Sequence, residues 1–218
     1  MKRVHPYTLE HTLDRERIIV IARGVHPERI LHTAEALLEG GIHTLEVTLN
    51  SEDALRSIRM LSKTFQGQMH IGAGTVLDHD DFLHAVEAGA EFIVTPNVDE
   101  EVIHAAVKED LPIFPGAATP TEIVKSWKAG ATAVKLFPNF GCSYIKELQG
   151  PFSHIPLIAL GGVDAENIAD YLRHRVFAVG IGGYLIDLAA IEKGQYQVIK
   201  ERAQRLIEIV EQYRLSSS

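Results

Sequence analysis

Short runs of β-branched and aliphatic residues alternate along the chain with longer segments in which apolar residues recur every three or four positions. The short runs predict β-strands, and the longer segments predict amphipathic helices. Eight such runs occur, at residues 17–24, 44–50, 69–77, 91–96, 111–118, 132–139, 156–163 and 176–183. Their first residues lie 20 to 27 positions apart, which leaves room for one helix after each strand.

Strands that alternate with single helices predict a parallel sheet, because each helix carries the chain back to the same edge. Eight near-equal units predict closure into a (β/α)₈ barrel, the TIM barrel. An open doubly wound sheet is less favoured, because no Gly-rich dinucleotide turn follows the first strand. We expect one domain over residues 1–218, with an extra N-terminal helix at 1–16, a barrel core at 17–185 and C-terminal helices at 186–218.

Charge and cysteine content narrow the classes of function. The chain has 21 Lys and Arg residues against 29 Asp and Glu residues, a net charge of −8, so nucleic acid and anionic membranes would repel it. A single cysteine excludes an intrachain disulfide and is typical of a reducing compartment. No run resembles a signal peptide or reaches the roughly 20 apolar residues of a transmembrane helix. We expect a cytoplasmic protein without a nucleic-acid or membrane partner.

Two charged residues interrupt otherwise apolar strands. Glu46 and Lys135 each alternate with aliphatic residues that should face the helices, so both side chains should point into the barrel. Burial lowers the pKa of a lysine and exposes a nucleophilic amine, which Schiff-base chemistry requires beside a carboxylate. The alternative is a purely structural ion pair inside the barrel.

Glycines follow several predicted strands, at the edge where barrels carry their active sites. Gly161 and Gly162 end the seventh predicted strand, and Gly182 and Gly183 end the eighth. These two loops often bind phosphate through backbone N–H groups, and glycine lets an anion approach the backbone closely. Turn formation alone is the alternative. The histidines form no HExxH or His-x-His cluster, so we expect no metal site.

Seven motifs stand in order on the predicted strands, namely LEVTLN (45–50), GAGTVL (72–77), VTPN (94–97), FPGAATPTE (114–122), AVKLFP (133–138), GGV (161–163) and GIGG (180–183). From residue 17 to 185 the chain resembles the class I 2-keto-3-deoxy-6-phosphogluconate (KDPG) aldolases and their 4-hydroxy-2-oxoglutarate (KHG) aldolase relatives. The resemblance implies cleavage of a 2-keto-3-deoxy-6-phospho sugar acid, or of 4-hydroxy-2-oxoglutarate, to pyruvate and an aldehyde. That aldehyde would be glyceraldehyde 3-phosphate or glyoxylate. It also implies a homotrimer that needs no metal or other cofactor.

The resemblance assigns roles to single residues. Lys135 matches the Schiff-base lysine, and Glu46 matches the catalytic carboxylate. Arg23 and Thr75 match positions that contact the keto acid. The remaining candidates for substrate binding are Asn50, Pro96, Phe137 and the four loop glycines Gly161, Gly162, Gly182 and Gly183.

Two residues depart from the family pattern. Asn50 stands where the phosphogluconate aldolases usually have a substrate-holding arginine, and it resembles the 6-phosphogalactonate relatives. Tyr184 stands where the family commonly has a serine for phosphate. Either the backbone alone holds the phosphate, or the Tyr184 hydroxyl replaces that serine. The identity of the sugar acid stays open.

Two other functions remain compatible with the same residues. A barrel isomerase or epimerase of sugar phosphates would use Glu46 as its base and Lys135 as an electrostatic stabiliser. A catalytically silent barrel would bind a small anion through the glycine loops. Neither alternative requires a covalent bond between Lys135 and a keto acid.

Overall fold

The computed structural model describes residues 8–217, which form nine strands and ten helices. The strands are β1 (Ile18–Ala22), β2 (Thr44–Thr48), β3 (His70–Gly74), β4 (Ile93–Val94), β5 (Ile113–Phe114), β6 (Gly116–Ala117), β7 (Val134–Leu136), β8 (Leu157–Leu160) and β9 (Ala178–Ile181). The helices are α1 (Leu9–Glu16), α2 (Pro27–Glu39), α3 (Ala54–Thr64), α4 (His79–Ala88), α5 (Glu100–Lys108), α6 (Pro120–Lys128), α7 (Gly141–Phe152), α8 (Ile168–Arg173), α9 (Leu188–Glu192) and α10 (Tyr196–Ser217).

The strands form one parallel sheet that closes on itself. Their order is β5-β4-β3-β2-β1-β9-β8-β7-β6, and β5 and β6 are two pieces of the single predicted run 111–118. β5 pairs with β4, while β6 pairs with β7. The N–H of Lys135 donates to the carbonyl of Pro115, between the two pieces, at 2.9 Å. The predicted (β/α)₈ barrel is therefore confirmed, with one strand divided at a proline that has no N–H to donate.

Alternation along each strand separates two apolar layers. One set of side chains packs outward against the helices, and the other fills the inside of the barrel. Several strands are shorter than their predicted runs. The run 91–96 contributes only Ile93–Val94, and the residues after Val94 form the loop that follows β4.

Helix α1 closes the N-terminal end of the barrel. Its Leu9 and Leu13 join the inner apolar cluster. Its last residue, Glu16, accepts hydrogen bonds from the backbone N–H and ring Nδ1 of His43, at 2.9 and 2.6 Å. The predicted extra helix is thus present, and residues 1–7 of the range 1–16 lie outside the described residues. No helix between residues 8 and 217 combines the length and apolar character needed to cross a bilayer.

Candidate active site

Strands β2 and β7 place Glu46 and Lys135 inside the barrel, as the alternation predicts. The two side chains are only 4% and 9% exposed. They line one cavity together with Ile19, Val94, Phe114, Ile158, Leu160 and Gly180. Its other walls are apolar or glycine, so the amine and the carboxylate provide its ionisable chemistry.

Burial moves the pKa values of the two groups toward each other. Desolvation raises the pKa of Glu46, and the positive charges of Lys135 and Arg23 only partly oppose it. Desolvation lowers the pKa of Lys135, which the Glu46 carboxylate partly offsets. Within the described part of the chain, no ion pair of 4.0 Å or less joins the two groups. The cavity therefore holds an amine and a carboxyl group whose pKa values are both shifted toward the neutral form and which form no direct ion pair.

A glycine on the neighbouring strand makes room for the Glu46 carboxylate. Gly74 pairs with Thr48 across β2 and β3 and faces into the barrel. A Cβ atom on Gly74 would lie 1.7 Å from Oε1 of Glu46. Any side chain at position 74 would displace the carboxylate. The second glycine of the GAGT motif is therefore needed for the position of Glu46.

The structure brings Arg23, Asn50 and Thr75 together at the carboxyl ends of β1, β2 and β3. The Arg23 guanidinium donates to Oδ1 of Asn50 at 2.7 Å and to Oγ1 of Thr75 at 3.4 Å. Thr75 has φ of +57°, which is unusual for a β-branched residue and costs free energy. The strained backbone and the shared guanidinium indicate a cationic site at the barrel mouth, beside the Glu46–Lys135 cavity.

Pro96 follows β4, next to β3, and Phe137 follows β7. The Lys135 amine is 5.4 Å from the centre of the Phe137 ring, which is 45% exposed. The carbonyl of Pro96 faces Gly116, where a Cβ atom would come within 2.3 Å of it. Both predicted residues therefore border the entrance, with an apolar ring next to the amine.

The two glycine loops lie side by side after β8 and β9. Gly161 and Gly162 have φ of +90° and +70°, and the side chains of Asn139 and Asn167 hold their carbonyls at 2.6 and 2.7 Å. Added Cβ atoms at Gly162 and Gly183 would meet nothing within 4 Å. In the described chain, the backbone N–H groups of Gly162 and Gly183 have no acceptor. Both N–H groups are available to an anion.

The sequence could not locate Tyr184 or reveal its partner, Arg202 of α10. The Arg202 guanidinium stacks over the Tyr184 ring at 5.5 Å and donates to the Tyr184 carbonyl at 2.9 Å. The ring packs against the apolar layer between barrel and helices. It therefore lies on the helix side of its loop, which favours phosphate binding by backbone groups. The spacing of residues along α10 does not indicate that Arg202 contacts Tyr184.

Among residues 8–217, no group of three His, Cys, Asp or Glu side chains is arranged to hold a metal ion.

The model of the KDPG and KHG aldolase family matches residues 9–202. A 2-dehydro-3-deoxy-phosphogluconate aldolase of Pseudomonas aeruginosa is 36% identical over 93% of this chain and 94% of its own length. A 2-dehydro-3-deoxy-6-phosphogalactonate aldolase of Escherichia coli is 34% identical over 90% of this chain and 94% of its own.

Solved structures of aldolases from this family are also similar to this chain. The native KDPGal structure superposes with a TM-score of 0.84 and 32% identity, over 91% of this chain and 96% of that one. The KDPG aldolase of Legionella pneumophila, with pyruvate captured as a covalent carbinolamine intermediate, has a TM-score of 0.83 and 29% identity. That superposition covers 92% of this chain and 98% of the Legionella chain.

Proposed function

Because the chain belongs to the KDPG and KHG aldolase family, we propose that Lys135 is its Schiff-base lysine and Glu46 its proton-transferring carboxyl group. The protein is a class I aldolase, a carbon–carbon lyase that cleaves KDPG-type keto acids to pyruvate and an aldehyde. Enzymes of this class use a lysine Schiff base in place of a metal. One observation supports the two assignments most strongly: a buried lysine with a lowered pKa shares an otherwise apolar cavity with a carboxyl group.

The reaction begins when the neutral amine of Lys135 adds to the C2 ketone and forms a carbinolamine. Glu46, directly or through one water, protonates the carbinolamine hydroxyl, which leaves as water and gives an iminium. Loss of the C4 hydroxyl proton then breaks the C3–C4 bond, whose electron pair moves into the iminium. The aldehyde departs and an enamine remains. Protonation at C3 and hydrolysis release pyruvate and restore the amine.

The mouth residues bind the rest of the substrate. Arg23 provides a fork-shaped cation for the carboxylate, with Thr75 and Asn50 holding the guanidinium in place. Phe137 and Pro96 border the carbon chain next to the amine. The N–H groups of Gly162 and Gly183, with their loop neighbours Gly161 and Gly182, hold the terminal phosphate.

Turnover with a set of substrates tests this proposal. Pyruvate release is measured from 2-keto-3-deoxy-6-phosphogluconate, its galactonate epimer and 4-hydroxy-2-oxoglutarate. Lys135→Met should abolish release from all of them, while Lys128→Met, at an exposed position on α6, should retain it. Full activity in Lys135→Met would refute the assignment. Conversion of substrate without pyruvate release would favour the isomerase alternative, and an inert wild type would favour the anion-binding barrel.

We further propose that the protein is a cytoplasmic homotrimer. The family resemblance supports the trimer, and large exposed apolar side chains such as Leu77 and Leu83 offer surface for an interface. Light scattering should give about three times the 24.1 kDa chain mass. A monomer at micromolar concentration would contradict this proposal.

A further inference from the structure

The loop after β9 is fastened to the outer helix α10. Arg202 donates to the carbonyl of Tyr184 at 2.9 Å and to Oδ2 of Asp187 at 3.2 Å. Asp187 in turn caps α9 by accepting from the N–H of Ala190 at 3.1 Å. One guanidinium thus holds both the middle and the end of the segment 182–187.

The first residues of that segment have no side chain that anchors them. Gly183 has no side chain to pack, and a Cβ atom there would meet nothing within 4 Å. The carbonyl of Gly182 accepts from the N–H groups of Leu185 and Ile186, both at 2.9 Å, which makes a tight turn. Leu185 and Ile186 at the end of this turn are buried in the core, whereas the partly buried Tyr184 ring next to Gly183 stacks on Arg202. Arg202 thus contacts both the ring and the carbonyl of the residue that directly follows Gly183.

We infer that Arg202 is a positioning residue for the phosphate end of the substrate. It acts through the loop, because its charge is already paired with Asp187. The inference rests on the proposed function, in which the Gly183 N–H binds phosphate. A donor held in place before binding costs the ligand no ordering, and a released donor costs affinity.

Loss of the Arg202 side chain should weaken binding of the phosphate group and leave the rate of the covalent steps unchanged. Losing one aligned hydrogen bond to a charged group weakens binding by about 10-fold or more. We expect Arg202→Met to raise KM for 2-keto-3-deoxy-6-phosphogluconate, and Ki for inorganic phosphate, by about that factor. The kcat, and the KM for unphosphorylated 2-keto-3-deoxygluconate, should stay within about two-fold. Arg202→Lys keeps a cation beside Asp187 and should recover part of the loss.

Arg205→Met is the matched control, because Arg205 lies on the same helix and pairs only with Glu208 in the described structure. It should behave as the wild type. An equal loss of both substrates in Arg202→Met, or the same KM for phosphorylated substrate in both variants, would overturn the inference. A wild type indifferent to the phosphate would also overturn it and leave the aldolase function intact. Trapping of pyruvate on Lys135 by borohydride, run in parallel, tests the proposed function separately.

Discussion

Two opposite charges buried in one cavity without a direct ion pair define the chemistry at the residue scale. A structural pair would be expected to close into contact, because buried charges need a partner at short range. Here desolvation raises the pKa of Glu46 and lowers that of Lys135, so each group moves toward its neutral form. Carbinolamine formation needs the neutral amine, and its dehydration needs a proton donor, so both shifts are in the direction that the reaction requires.

Glu46→Gln tests the separate roles of the pair. We expect kcat to fall on the order of 10²–10⁴-fold, the usual contribution of acid–base catalysis, with the melting temperature retained. The Glu46 carboxylate raises the pKa of Lys135, so its removal should move the pH profile of pyruvate-adduct formation to lower pH. Both profiles should rise below the ordinary lysine pKa of 10.5. Full activity with a changed melting temperature would make Glu46 a structural residue only.

Gly74→Ala tests the space that the carboxylate occupies. The new Cβ would lie 1.7 Å from Oε1 of Glu46, so the carboxylate must move or the strands must separate. We expect a loss of kcat and a destabilisation of about 1–3 kcal/mol, as for overpacked cores. Gly150→Ala on α7 is the control, because its Cβ would meet nothing within 4 Å. If Gly74→Ala kept full kcat, Glu46 would not need its observed position.

For the strands, the alternation of residues predicts which way each side chain faces, and it does so better than the length of a run predicts where the strand ends. The period of two placed Glu46 and Lys135 inside the barrel, and that prediction is confirmed. The ends of the runs were less accurate, because Gly, Pro and Thr clusters look the same whether they continue a strand or begin a loop. The run 111–118 divides at Pro115 into β5 and β6. The residue pattern does not show that β5 pairs with β4 while β6 pairs with β7.

Helix α1 should detach more easily at high pH. The hydrogen bond to Glu16 raises the pKa of His43 above its ordinary value of 6.5. Its stabilising contribution is complete below pH 6.5 and is lost as the pH rises through the folded-state value. His43→Gln should therefore lower the melting temperature more at pH 6 than at pH 9, while His84→Gln, at an exposed position on α4, should change it little at either pH. Equal losses at both pH values would contradict this account.

At the scale of the whole molecule, the sequence predicted the barrel, the family and the inward-facing pair. It also named Arg23, Asn50 and Thr75, which the structure joins by hydrogen bonds. It did not predict Arg202, because that contact depends on how α10 packs beside the loop after β9. Local patterns determine which way a strand residue faces, whereas contacts between distant elements follow from their packing in three dimensions.

Reduction with borohydride in the presence of pyruvate, followed by peptide mass mapping, shows directly whether Lys135 forms a Schiff base. The amine of Lys135 should form an imine with the ketone of pyruvate, and reduction should fix it as a stable secondary amine. We predict one reduced pyruvate adduct, on the peptide that contains Lys135, and none in Lys135→Met. An adduct on another lysine, or no adduct in an active wild type, would contradict the account.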